Sequence, residues 1–130
     1  RHWSSLLEFA LHAREARRAG VDEGWIEALR CGARPDFAGD DAAAEIYEYV
    51  RQLLSAGNIA DTAYEAVKKR WGEVGVVELT AVAGYYSMVA MTLNAHRIPL
   101  PEGVEYEIPD NDKGVFNLPP LQENEPQPVL

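Results

Sequence analysis

The sequence contains a single cysteine, Cys31, among 130 residues, and only three histidines, His2, His12 and His96. One cysteine cannot form an intramolecular disulfide, which excludes a disulfide-stabilised scaffold. The histidines show neither the Glu-x-x-His nor the His-x-x-x-His spacing of helical metal sites, and a structural zinc site would need more cysteines. The sequence therefore predicts no metal site and no cofactor.

Basic residues are also few, with 12 lysines and arginines against 21 acidic residues and a net charge of −9. Nucleic-acid binding requires clustered positive charge, so we expect no nucleic-acid partner. The sequence shows neither a signal peptide nor an uninterrupted membrane-spanning run, which favours the cytoplasm. Because the first residues already follow a helical pattern, we also expect a further segment upstream of Arg1.

Proline is scarce over most of the chain, since seven of the eight prolines lie between Pro99 and Pro128. The segment from Glu102 onward also carries −6 of the net charge. These two biases predict a helical domain over residues 1–98 and a Pro-rich acidic arm or tail over residues 99–130. Within the domain, apolar periodicity, Asp caps and Gly stops predict five helices and an all-α fold. The first helix is predicted to end at about Ala19, and the second to run from Asp22 to Gly32. The third begins at Asp40 or Asp41 and is closed by Gly57 and Asn58. The fourth begins at Asp61 or Thr62, with Thr62 and Glu65 spaced as a capping box, and continues through Trp71, and the last runs from Glu73 to about His96.

The last predicted helix is apolar on almost every side, in the run VVELTAVAGYYSMVAMTLNA. Such a helix is typical of a core or of a subunit interface. Polar residues at Glu78, Thr80, Ser87 and Asn94 interrupt the run, so we expect no membrane partner.

Ser5, Glu8 and His12 are spaced three and four residues apart on the first helix, which places them along one stripe. A carboxylate one turn from an imidazole orients the ring and tunes its pKa, as general acid/base catalysis requires. The same spacing is also common in plain surface contacts. Tyr85 and Tyr86 on the last helix point in different directions, so either one offers its hydroxyl to a cavity or both only pack.

Two stretches together resemble the carboxymuconolactone decarboxylase family, which includes the alkylhydroperoxidase D-like proteins. The first stretch is EFALHAREARRAGVDEGWIEALRCG and the second is VVELTAVAGYYSMVAMTLNAHRIPLPEG. The resemblance covers about residues 5 to 103. It implies the all-helical fold of that family, assembly as a homo-oligomer (a trimer or hexamer) and active sites near subunit boundaries.

The chain departs from the peroxidase branch of the family, which carries Cys-x-x-Cys four residues before its histidine. When that histidine is aligned with His12, Ser5 and Glu8 occupy the cysteine positions, so thiol peroxidase chemistry is excluded. A further catalytic carboxylate of the family would fall before Arg1.

The resemblance therefore implies a decarboxylase-like lyase acting on a small lactone or keto acid. His12 would be the general acid/base, and Glu8 would orient or tune it. Ser5, Phe9, Tyr85 and Tyr86 would bind the substrate. Hydrolysis or isomerisation at the same site and a non-catalytic oligomeric ligand-binding protein are the alternatives.

Overall fold

Four helices form the regular structure of residues 1–105 and Ile108, the part of the chain that this computed structural model describes. They are α1 (Leu6–Arg18), α2 (Glu23–Cys31), α3 (Asp41–Ala56) and α4 (Asp61–Ala95). No strand occurs in this described part, so the all-helical prediction is confirmed there. Most of the predicted arm lies outside the described residues, and the division at residue 98 stays a prediction.

Aspartate caps and left-handed glycines set the ends of α2 and α3, as the sequence predicts. The Asp22 and Asp40 carboxylates each accept a hydrogen bond from a first-turn backbone N–H, at 2.7 and 2.9 Å. These bonds satisfy N–H groups that have no acceptor within the helix. At the other ends, Gly32 and Gly57 have φ values of 73° and 67°, which other residues adopt only with strain.

The helix α4 consists of two helical stretches that meet at Gly72, where φ is 73° and ψ is −179°. This backbone conformation is accessible essentially only to glycine. The structure thus confirms the predicted break between a helix ending near Trp71 and another beginning near Glu73.

The described residues divide into two compact units. We call residues 1–36 with 86–105 and Ile108 the His12 unit, and residues 37–85 the Tyr49 unit. The Tyr49 unit has a core of Tyr49, Val67 and Val76, and the Tyr49 hydroxyl lies 2.7 Å from Oγ1 of Thr80. The buried apolar residues of the His12 unit are three alanines and two isoleucines, namely Ala10, Ala13, Ala90, Ile26 and Ile108.

The second stretch of α4 leaves much of its apolar surface exposed in the single chain. Val74 is 70% exposed and Val77 is 67% exposed. By length and composition alone α4 would also cross a membrane, and 17% of its most apolar window is buried. One such helix is weak evidence for a membrane, because the criterion rests on length and composition only. The exposed valines show that this side of the helix is not part of a core formed by the described residues.

Candidate active site on helix α1

Glu8 and His12 lie one turn apart on α1, with 3.8 Å between Oε1 of Glu8 and Nε2 of His12. This distance allows electrostatic attraction, although it is longer than a hydrogen bond. The Glu8 side chain is 14% exposed and the His12 side chain is 54% exposed. The Glu8 carboxyl is therefore largely covered, whereas solvent and small molecules can reach the His12 imidazole.

The burial of Glu8 changes its acidity. Loss of hydration raises the pKa of the Glu8 carboxyl, and the nearby His12 opposes this shift only in part. A carboxyl with a raised pKa retains its proton to a higher pH than a carboxyl in water. Such a group next to an imidazole is suited to holding and passing a proton.

Tyr86, near the middle of the second stretch of α4, contacts the His12 ring. The two ring centroids are 4.7 Å apart and the ring planes are perpendicular. This edge-to-face geometry is favourable for aromatic pairs and restricts the orientation of the imidazole. The structure thus brings together three predicted site residues, Glu8, His12 and Tyr86.

Tyr85 belongs to the Tyr49 unit and is more than half exposed. Adjacent residues on a helix point about 100° apart, so the ring next to His12 is that of Tyr86. Phe9 follows Glu8 on α1 and is partly buried. The substrate-binding roles of Tyr85 and Phe9 stay predictions.

Ser5 is the N-cap residue of α1, but its hydroxyl makes no capping hydrogen bond. The residue is 5% exposed, and its buried Oγ has no hydrogen-bond partner among the described residues. Most buried hydroxyls are paired, because an unpaired one loses its hydrogen bonds to water without replacement. The sequence predicted a substrate-binding serine at this position; its burial and its missing cap bond could not be read from the sequence.

A cavity of about 650 Å³ lies along a different side of α1. Its lining includes Arg14, which follows His12 by two residues and so points about 200° away from it. The lining arginines bind carboxylates: Arg14 Nε lies 3.0 Å from Oε1 of Glu15, and Arg17 Nη2 lies 2.8 Å from Oε1 of Glu23. This cavity is therefore separate from the Glu8–His12 pair, and its positive charge is largely balanced.

Cys31 is exposed at the end of α2, and its thiol donates a hydrogen bond to Oε1 of Glu27 at 3.2 Å. That hydrogen bond raises the pKa of the Cys31 thiol, which disfavours the nucleophilic thiolate. No group of three or more His, Cys, Asp or Glu side chains that could hold a metal ion occurs among the described residues. The predicted absence of a metal and of a cofactor stays a prediction.

A hydrogen bond that the sequence did not predict joins the two chain segments of the His12 unit. The side-chain amide of Asn94 donates to the backbone oxygen of Trp3 at 2.7 Å. The only signal in the sequence is a polar residue within the long apolar run of α4. This bond anchors the segment that leads into α1 and its N-cap, Ser5.

We compared the chain with protein-family models, with curated proteins and with solved structures, and none of them matches.

Proposed function

We propose that this chain is a cofactor-independent, decarboxylase-like lyase with a carboxymuconolactone decarboxylase-like fold, acting on a small lactone or keto acid. The observation that carries the proposal is the pairing, at 3.8 Å, of a largely covered Glu8 carboxyl with an exposed His12 imidazole. A proton donor needs access to substrate on one side and a group that tunes or resupplies it on the other. His12 and Glu8 meet these two needs.

In the proposed reaction, the bond between the carboxylate and the carbon next to a carbonyl breaks, and carbon dioxide leaves. The electron pair of that bond moves into an enolate, whose carbon or oxygen then takes a proton from protonated His12. Glu8 stabilises the charged imidazole between turnovers, and solvent returns the proton. The contact with Tyr86 keeps the imidazole in one orientation while the proton moves.

We also propose that the chain assembles as a cytoplasmic homo-oligomer, a trimer or hexamer, without nucleic-acid or membrane partners. The exposed valines of α4 support assembly, because association buries apolar surface that the single chain leaves in water. The sequence resemblance to the carboxymuconolactone decarboxylase family supports a trimer or a hexamer over other oligomers.

The proposal is tested by measuring substrate loss and carbon dioxide release from a panel of lactone acids and β-keto acids. We expect release by the wild type, a loss of about 100-fold or more in His12→Ala, and a smaller loss in Glu8→Gln. His96→Ala is the matched control, because His96 is an exposed histidine outside α1. Its activity should equal that of the wild type.

Each outcome separates the proposed reaction from its alternatives. Substrate loss without carbon dioxide would replace decarboxylation with hydrolysis or isomerisation at the same site. Equal activity in His12→Ala and His96→Ala would refute a role for His12. Binding without turnover of any compound would favour a ligand-binding protein.

A further inference from the structure

The first turn of α1 contains the two residues of a capping box, but neither of them caps the helix. Ser5 and Glu8 have the Ser-x-x-Glu spacing in which the serine hydroxyl accepts from the third residue of the helix and the glutamate accepts from the serine N–H. Instead the Ser5 hydroxyl makes no cap bond, and the Glu8 carboxylate lies toward His12. A capping serine stabilises a helix by about 1 kcal/mol, which this arrangement forgoes.

The N-terminus of α1 therefore keeps its hydrogen-bond donors. The N–H groups of Leu6, Leu7 and Glu8 have no acceptor within the helix, since the first helical bond runs from Phe9 N to Ser5 O at 3.0 Å. Among the described residues no other acceptor is bonded to them. Together with the helix dipole, such N–H groups attract a negatively charged group.

Two further features favour an anion at this position. The buried Ser5 hydroxyl has no partner in the described part of the chain and can donate to an oxygen. The Arg1 guanidinium adds positive charge next to Ser4, the residue before the N-cap: its Nη1 donates to Oγ of Ser4 at 2.6 Å, and its Nε donates to the Arg30 carbonyl at 3.1 Å.

We infer that the N-terminus of α1 binds a carboxylate group of the substrate, through the Ser5 hydroxyl and the N–H groups of Leu6, Leu7 and Glu8. This inference rests on the proposed function, and it places at this site the carboxylate of the substrate that does not react. Seven residues separate Ser5 from His12, a rise of about 10 Å along the helix. Because helical side chains lean toward the N-terminus, the His12 ring lies closer to Ser5 than this rise between Cα atoms.

Because the Ser5 hydroxyl is covered in this structure, a carboxylate reaches it only when neighbouring residues move. The segment before Ser5 is anchored by the hydrogen bond from Asn94 to the Trp3 carbonyl. We therefore expect the amide of Ser4 to respond to binding as well as the amides of the first turn.

The test is an NMR titration of the full-length protein with sodium acetate at constant ionic strength, following backbone amide shifts. We expect saturable shifts at Leu6, Leu7 and Glu8, with affinity about tenfold weaker in Ser5→Ala because a hydrogen bond to a charged group is lost. Ser55→Ala, which removes an exposed hydroxyl from the last turn of α3, is the matched control and should bind acetate as the wild type does.

A second variant guards against a general effect of substitution at Ser5. Glu8→Gln removes a negative charge from the same turn and should bind acetate more tightly. Shifts that are absent at the first turn, or equal in Ser5→Ala and wild type, would overturn the inference.

Binding is measured in parallel in His12→Ala, which keeps the proposed carboxylate site but lacks the proposed acid. Acetate binding there, without turnover by the wild type on any acid, would support the carboxylate site and refute the proposed reaction. Turnover without first-turn shifts would refute the site and leave the reaction.

Discussion

The Glu8 carboxyl makes stability depend on pH in a direction opposite to most surface acids. Its pKa in the folded chain is raised above the ordinary 4.5, so its contribution to stability is fully present below pH 4.5 and is lost as the pH rises through the raised value. Glu8→Gln removes this dependence. In urea denaturation, the free energy of unfolding of the wild type should therefore fall relative to Glu8→Gln as the pH rises from 4.5 to 7.

Glu15 is the control for this prediction, because hydrogen bonds from Arg14 and Arg18 lower its pKa. Its contribution to stability is present above pH 4.5 and is lost as the pH falls through the lowered value. Relative to Glu15→Gln, the wild type should lose stability on acidification. The same sign of pH dependence for both residues would contradict the burial of Glu8.

The contact between Tyr86 and His12 is testable without knowledge of the substrate. In Tyr86→Ala the loss of the aromatic ring should change the proton chemical shifts of the His12 imidazole, whereas Tyr86→Phe retains the ring and should leave them close to wild type. The adjacent Tyr85→Ala is the control, with small changes expected. Large changes in Tyr85→Ala but not in Tyr86→Ala would show that Tyr85, and not Tyr86, contacts His12.

At the scale of one element, Gly72 determines where α4 divides. Gly72→Ala forces a side chain into φ 73° and ψ −179°, and we expect it to lower the free energy of unfolding by about 1–3 kcal/mol. Gly84→Ala is the matched control, since nothing lies within 4 Å of the added Cβ. It should raise stability by up to about 1 kcal/mol through helix propensity. Thermal and urea unfolding measure both, and equal effects would show that Gly72 does not hold a special conformation.

The start of α4 depends on a side chain of another helix. The buried Oε1 of Gln52 in α3 accepts a hydrogen bond from the Ala60 N–H at 2.7 Å, just before α4 begins at Asp61. Gln52→Ala leaves this buried N–H unpaired, so we expect a loss of about 1–3 kcal/mol in unfolding free energy. Gln52→Glu would not serve as the milder variant, because the Gln52 amide also donates to Oε1 of Glu48 at 2.7 Å and a second carboxylate there would be repelled. Ser55→Ala, at an exposed position of the same helix, is the control and should unfold like the wild type. If Gln52→Ala unfolds like Ser55→Ala, the hydrogen bond does not fix this helix start.

These elements show what the sequence reveals and what it does not. Asp22, Gly32 and Gly57 act within a few residues of their own positions, so their local chemistry predicted helix ends correctly. The conformation of Gly72 was not predicted. The sequence left Asp61 or Thr62 as the start of the fourth helix; in the structure α4 starts at Asp61, which places Thr62 inside the first turn. The hydrogen bond that the Ala60 N–H donates to Gln52 at this start joins residues eight apart, and periodicity does not reveal it.

The same limit applies to the candidate site. The stripe of Ser5, Glu8 and His12 follows from helical spacing alone, since all three lie on one helix. The contact of His12 with Tyr86 joins residues distant in sequence, and the sequence offered Tyr85 as an equal candidate. The burial of the Ser5 hydroxyl depends on how residues 1–4 pack, which no local pattern encodes.

At the scale of the whole molecule, substitution of an exposed valine of α4 tests whether the chain is a monomer or a homo-oligomer. We expect the wild type to sediment as a trimer or hexamer, and Val77→Glu to sediment as a smaller species, because a buried unpaired charge opposes association. Val21→Glu is the matched control, since Val21 is an exposed valine outside α4. It should retain the assembly of the wild type.

Flotation with lipid vesicles in the same experiment tests the other environment that would cover this helix. If the wild type floats with vesicles and Val77→Glu does not, α4 binds lipid, and the proposal that another subunit covers this helix is wrong. If the wild type sediments as a monomer and does not float, the valines remain in water and assembly is refuted. Loss of assembly in Val77→Glu with intact acetate binding would separate the subunit contact from the carboxylate site on α1.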